Sequence, residues 1–259
     1  MAWEREIEVC REVSRRAGAL ALEHARRGVK SEDKTDLSPV TIADRECERL
    51  IAESLLAAFP EDGVLGEEGA AGRGTSGRRW IVDPIDGTRD FVRGLDTWSN
   101  LIGLEADGEV VLGVCNMAAK GEQYWAVRGR GAWRNEERVR VSKIDRVDRA
   151  IACLTAFDYA GRSPLGPGIL EHLSRYWTVR SMGGCQDAML VVSGRAEVWF
   201  ELKANAWDLA PMIVLAEEAG ARFFNFDGGR SIYGGNCVIC APFLEAELRE
   251  FVGGTTEPA

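Results

Sequence analysis

The chain has 259 residues, 46% of them hydrophobic and 28% charged, the composition of an ordinary globular protein able to bury one large core or two fused layers. Its 32 basic and 41 acidic residues give a net charge of −9, which argues against a nucleic-acid surface, because phosphate backbones demand clustered Lys and Arg. A small phosphorylated substrate remains compatible, since a bound cation can invert the local charge.

Met1-Ala2-Trp3-Glu4-Arg5 lacks a basic-then-apolar signal segment, and no apolar run approaches membrane-spanning length. The expected location is cytoplasmic, with no membrane partner. Residues 3–27 predict an amphipathic helix, with Trp3, Ile7, Cys10, Val13, Ala17, Leu20, Ala21 and His24 at three- and four-residue steps. His24 and His172 are the only histidines, so no His-centred triad is expected. Residues 29–38 are polar and turn-rich. Ser38-Pro39-Val40-Thr41 then leads into a second helix, whose buried stripe is Ala43, Cys47, Leu50, Ile51, Leu55 and Ala58 and which Phe59-Pro60 closes.

Val64-Leu65 is a short apolar step ending in Gly66-Glu67-Glu68-Gly69, followed by a Gly/Arg/Ser-rich loop at 70–79. A strand over Trp80-Ile81-Val82 is predicted to stop at Asp83-Pro84-Ile85-Asp86-Gly87, with Thr88 starting a helix into Asp90 and Phe91. Residues 98–105 and 109–116 read as a hairpin joined by Ala106-Asp107-Gly108. Segments 122–128 and 136–142 extend that antiparallel series through the turn at Gly129–Gly131.

From about 150 the pattern alternates: strand 150–156, helix 168–176, strand 178–182, helix 185–194, strand 196–201, helix 208–219, strands 221–225 and 236–241, helix 243–252. The expectation is a single domain over 1–259, with helices and an antiparallel sheet in 1–145 and an α/β half in 146–259. The seven cysteines read as buried free thiols. Cys237-Val238-Ile239-Cys240 has no second pair and sits in a strand, so zinc or redox chemistry is not expected there.

Asp83 and Asp86 put two acidic oxygens beside backbone N–H groups. Carboxylates suit a hard cation such as Mg²⁺, and N–H groups at a helix start suit a phosphate. The alternative for this stretch alone is an Asp-Pro/Asp-Gly turn carrying surface acids. Three neighbours extend the pattern: Asp44 at the start of the second helix, Glu67 at a strand-to-loop junction, and Asp208 after Trp207 at a helix start. Each can aim into a crevice at the strand ends.

Together these residues resemble the inositol monophosphatase family. The matching blocks are Lys34-x-Asp36-x-Ser38-Pro39-Val40-Thr41-x-Ala43-Asp44, Gly66-Glu67-Glu68, Asp83-Pro84-Ile85-Asp86-Gly87-Thr88 and Trp207-Asp208-Leu209-Ala210, in the family's order over about residues 5 to 250. The resemblance implies an α/β (α+β) protein built as a layered α-β-α-β-α sandwich, usually dimeric. It implies a Mg²⁺-dependent phosphomonoesterase with two or three Mg²⁺ per site and direct in-line attack by a metal-activated water. Glu67, Asp83 and the carbonyl of Ile85 would hold one ion, and Asp83, Asp86 and Asp208 a second. The N–H groups of Gly87 and Thr88 would take phosphate oxygens, and Asp44, Thr88 and Glu67 form the catalytic set.

A magnitude favours cations in such a cluster. Each like-charge pair at about 4 Å costs roughly 4 kcal/mol at an effective dielectric near 20. Two Mg²⁺ would cancel four of the five charges on Asp44, Glu67, Asp83, Asp86 and Asp208. Two departures stand out: Pro211-Met212 replaces the family's Ala-Gly, and Asp90 replaces its Asn. Pro211 is expected in the first helical turn, where a missing N–H costs nothing.

The leaving group is expected to meet Asp86, Asp90, Arg93, Arg180, Gln186, Asp187 and Glu201. Arg180 and Asp187 read equally well as an ion pair. The Asp62–Glu68, Phe91–Gly94 and Trp207–Ala210 stretches look like the histidinol-phosphate phosphatase branch. That makes L-histidinol phosphate the leading substrate, ahead of myo-inositol 1-phosphate, with fructose 1,6-bisphosphate and 3′-phosphoadenosine 5′-phosphate below. The non-enzyme alternative is an inactive metal- and phosphate-binding relative.

Overall fold

The computed structural model describes residues 2–33 and 39–254; Lys34, Asp36 and Ser38 of the first matching block lie outside the described residues. Helix α1 (Glu4–Arg27) buries Ile7, Cys10, Val13, Ala17 and Ala21, the stripe its spacing predicts. A two-stranded ribbon, β1 (Ser31–Asp33) and β2 (Pro39–Thr41), leads into α2 (Ile42–Ala58), capped by Thr41. Strands β3 (Gly63–Gly66) and β4 (Ala71–Gly72) follow, then β5 (Arg78–Asp86), α3 (Thr88–Val92), β6 (Ser99–Ala106) and β7 (Glu109–Met117). The β6–β7 turn has Asp107 and Gly108 at φ 53 and 78, as an Asp-Gly hairpin requires. Beyond it the expected strand pair is three strands, β8 (Glu122–Val127), β9 (Ala132–Arg134) and β10 (Glu137–Val139).

These form an eight-stranded sheet ordered β10-β9-β8-β7-β6-β5-β3-β4, antiparallel except for the parallel β3–β5 pair. The second half contributes β11 (Ile151–Thr155), α4 (Gly166–Leu173), β12 (Thr178–Arg180), α5 (Gly184–Val192), β13 (Val198–Glu201), α6 (Ala206–Ala219), β14 (Arg222–Phe224), β15 (Cys237–Cys240) and α7 (Glu245–Gly254). Its five-stranded sheet is ordered β12-β11-β13-β15-β14.

Strand alternation sorts the core into layers. Trp80 and Val82 of β5 pack with α1 and α2, whereas Ile81 packs with α5 and α6. Leu154, Phe200 and Val238 of the small sheet pack outward with residues of α4 and α7. The sequence of layers is therefore α1/α2, large sheet, α5/α6, small sheet, α4/α7, the expected α-β-α-β-α sandwich. Cys237 and Cys240 fall on opposite faces of β15, one in each core, so their spacing cannot form a chelating pair.

Two expectations change. Strand β5 does not stop at Val82; it runs through both aspartates to Asp86. Helix α6 starts at Ala206 rather than 208, so Pro211 lies inside the helix instead of in its first turn. A proline there leaves one carbonyl of the preceding turn without its helical N–H. The helix nevertheless fits closely: Gly103 and Gly113 pair across β6–β7 beneath it. A Cβ on Gly113 would come within 2.7 Å of Pro211 Cα, and one on Gly103 within 2.9 Å of Ala210 Cβ. Only a sheet surface without side chains at this spot lets α6 approach so near.

Candidate active site

Residues three apart on a regular strand point to opposite faces. Asp83 and Asp86 escape that rule through a bulge. Asp83 pairs with Leu101 and Asp86 with Ser99, so Pro84 and Ile85 together face the single residue Asn100. The extra residue resets the alternation. Ile85 turns into the α1/α2 core, and Asp86 emerges on the α6 side together with Asp83. Asn100 Nδ2 donates to the Pro84 carbonyl at 2.6 Å and holds the bulge in place.

On that side α6 presents Asp208, whose Oδ2 accepts the Asn205 N–H at 2.6 Å. One carboxylate oxygen from each of Asp83, Asp86 and Asp208 lies within 4.8 Å of the others. Glu67 reaches the same cluster from the β3–β4 turn, close enough for its charge to act on Asp83. Burial, reinforced by these neighbours, drives the Asp83 carboxyl well above its ordinary range. Burial likewise lifts Asp86 to about 6 and Asp208 to about 7.

Asp44 approaches from α2. It is fully buried, its Oδ2 accepts the N–H and hydroxyl of Thr41, and its Oδ1 accepts the Thr88 hydroxyl at 3.2 Å. Thr88 Oγ1 also lies 3.1 Å from the Ile85 carbonyl oxygen. Gly87, at φ 83, turns the chain out of β5 into α3. Thus Asp44, Thr88 and the bulge form one continuous polar edge beside the carboxylates.

The residues expected around the leaving group separate into two sets. Glu201, at the end of β13, is nearly buried, and burial followed by Asp208 and Asp86 raises its carboxyl well above the usual range. A Cβ on Gly184 would lie 3.5 Å from Glu201 Oε2 and 3.8 Å from Asp86 Oδ2, so these two carboxylates share one wall. The Cys185 N–H donates to Asp86 Oδ2 at 3.2 Å. Gln186 is buried in the first turn of α5, and its Oε1 has no hydrogen-bond partner among the described residues. Asp90 accepts the Thr97 hydroxyl close by, and Arg93 is exposed beyond α3.

Asp187 and Arg180 depart from expectation. Asp187 is fully buried, accepts the Met182 N–H at 3.1 Å and the Thr155 hydroxyl at 3.3 Å, and is raised by burial to about 6. It ties down the loop before α5. Arg180 is exposed on edge strand β12 and donates to Thr178 Oγ1 and the Val179 carbonyl, not to Asp187. Two residues with no local sequence signal also serve the site: Asn100 at the bulge, and Glu48, which accepts backbone N–H groups of the Glu67 turn.

The donor set is all oxygen and strongly anionic, and Asp83 Oδ1 is buried without a hydrogen-bond partner among the described residues. A hard divalent cation fits such a set.

Residues 3–255 match the sequence model of the inositol monophosphatase family. A histidinol-phosphatase of Chlorobaculum parvum is 39% identical over 237 residues, covering 91% of this chain and 92% of that protein. An inositol-1-monophosphatase of Rhizobium meliloti is 36% identical over 219 residues, 82% of each. The solved structure of a Thermotoga maritima IMPase superposes with a TM-score of 0.86 at 30% identity, over 96% of both chains.

Proposed function

This chain belongs to the inositol monophosphatase family and is a phosphoric monoester hydrolase, and from that premise we propose that it hydrolyses L-histidinol phosphate by direct in-line displacement at phosphorus. The observation that carries the mechanism is the bulged β5, which turns Asp83 and Asp86 to one side against Asp208. The family is Mg²⁺-dependent. Here Glu67, Asp83 and the Ile85 carbonyl would hold one Mg²⁺, and Asp83, Asp86 and Asp208 a second, with room in the assignment for a third. Bound there, the cations would stabilise the entering and departing oxygens and acidify the attacking water, and the departing alkoxide would take its proton from solvent water.

The protein groups supply the rest. Thr88 Oγ1 receives a proton from the water as its own proton passes to Asp44 Oδ1, the acceptor it already faces. Burial raises the Asp44 carboxyl, which makes it a better acceptor than an exposed aspartate. The N–H groups of Gly87 and Thr88 bind phosphoryl oxygens at the turn out of β5. Asp90 and Gln186 flank the leaving group, and Glu201 attracts its cationic amine.

An amino alcohol suits this wall better than a neutral polyol, because its ammonium would pair with the Glu201 carboxylate that borders the crevice beside Gly184. Likeness to a histidinol-phosphatase supports the same choice. Myo-inositol 1-phosphate is the second reading, favoured by the likeness to an inositol-1-monophosphatase. The enzyme acts on a small metabolite in the cytoplasm, in keeping with its seven free cysteines. It works as a homodimer; an exposed apolar patch beside edge strand β12 supports that assembly.

Phosphate release from a panel of monophosphates, with Mg²⁺ and with chelator, tests the reading. Histidinol phosphate should be hydrolysed with a kcat/KM about 10-fold or more above that of inositol 1-phosphate, a margin of about 1.4 kcal/mol. Equal or reversed preference would refute the substrate, and no Mg²⁺-dependent release from any panel member would refute the activity.

A further inference from the structure

Glu48 lies one helical turn after Asp44 on α2, so the two carboxylates share a face of that helix. Asp44 is directed at Thr88, whereas Glu48 enters the turn that carries Glu67. Glu48 is only 4% exposed. Its Oε2 accepts the Glu68 N–H and its Oε1 the Ala70 N–H, each at 2.7 Å. The turn is closed by the Gly66 N–H donating to the Ala70 carbonyl at 2.7 Å. On the other side the Glu67 N–H donates to the Val82 carbonyl at 3.2 Å, next to Asp83 in β5. Glu67 therefore sits between two anchors, β5 and the Glu48 carboxylate. Gly66 makes the second anchor sterically possible, since a Cβ there would lie 2.3 Å from Glu48 Oε2.

We propose that Glu48, seated against Gly66, is a positioning residue that holds the Glu67 carboxylate toward Asp83 and so sets the affinity of the site for divalent cations. This rests on the reading of Glu67 as a metal ligand. The physical reason is preorganisation: a ligand on a short turn pays ordering entropy on each binding event unless the turn is already fixed. A carboxylate accepting two N–H groups fixes it, and the isosteric amide cannot, because its NH₂ would confront one of those N–H donors.

Calorimetric titration of MgCl₂ into metal-free wild type, E48Q, G66A and E67Q separates the possibilities. E48Q should bind Mg²⁺ about 10-fold or more weakly, within the range seen when groups supporting a metal ligand are removed. G66A, which keeps the glutamate but displaces it, should weaken binding in the same direction and carries the test should E48Q not fold. If E67Q weakens binding while E48Q or G66A folds and binds as wild type does, the inference is overturned and the metal assignment stands. If E67Q binds Mg²⁺ as tightly as wild type, the underlying metal assignment is overturned instead.

Discussion

Asp83 and Asp86 face the same crevice only because one additional residue interrupts the strand between them. Without that interruption, one carboxylate would lie in the hydrophobic core against α1 and α2. Buried together with Asp208, they are held at an electrostatic cost that pushes their carboxyls toward the protonated form. Asp86 at about 6 and Asp208 at about 7, against an ordinary 3.8, both favour the protonated form in the folded state. The stability they contribute is fully present below about pH 4 and disappears as pH rises through 6 and 7. Metal-free protein should therefore melt at a lower temperature at pH 8 than at pH 5, and saturating Mg²⁺ should stabilise it more at pH 8. A metal-free melting temperature that climbs between those two pH values would contradict the picture.

At this scale the sequence displayed the acids but not their geometry. Asp44, Glu67, Asp83, Asp86 and Asp208 were legible as residue types at junctions. The bulge was not, since it depends on Asn100 and Ser99 of the neighbouring strand. Asp187 is a further case. Its type and location give no hint that its oxygens serve the Met182 N–H and the Thr155 hydroxyl, groups brought to it from other parts of the chain.

Among the elements, those with a local physical signal were legible. The apolar steps of α1, the Thr41 cap of α2 and the Asp107-Gly108 turn each follow from neighbouring residues alone. What escaped depends on partners distant in the chain. The continuation of β5 past Pro84 needs β6 to pair with it. The position of Pro211 in α6 is tolerated over the Gly103–Gly113 pair, more than a hundred residues earlier for Gly103. Glu48 carries no local signal beyond its place in the second helix, because the N–H groups it serves belong to a turn some twenty residues on.

Over the whole molecule, five alternating layers bring the end of β5, the β3–β4 turn and the starts of α2, α5 and α6 to one crevice, so β5 supplies Asp83 and Asp86 while Glu67, Asp44 and Asp208 each arrive from a different part of the chain. Away from it, exposed Phe157, Leu170 and Val179 line an apolar groove of about 500 Å³ beside β12, and Trp177 and Met182, at either end of that strand in sequence, are exposed too, Trp177 at 65%. Contiguous apolar surface beside an open sheet edge marks an interface. The homodimer proposal predicts that Trp177→Glu, a change at an exposed position, yields a folded monomer in sedimentation while wild type sediments as a dimer. A monomeric wild type, or a variant that dimerises as strongly, would refute it.

The central claim is that Asp83 joins the cation positions on which phosphoryl transfer depends. Asp83→Asn preserves size and removes the charge at the centre of the cluster. The account predicts that, under saturating Mg²⁺, its kcat/KM for the best monophosphate falls by about 10³-fold or more, roughly 4 kcal/mol of lost transition-state stabilisation, while metal-free protein keeps or gains stability. A folded variant that hydrolyses at the wild-type rate would contradict it.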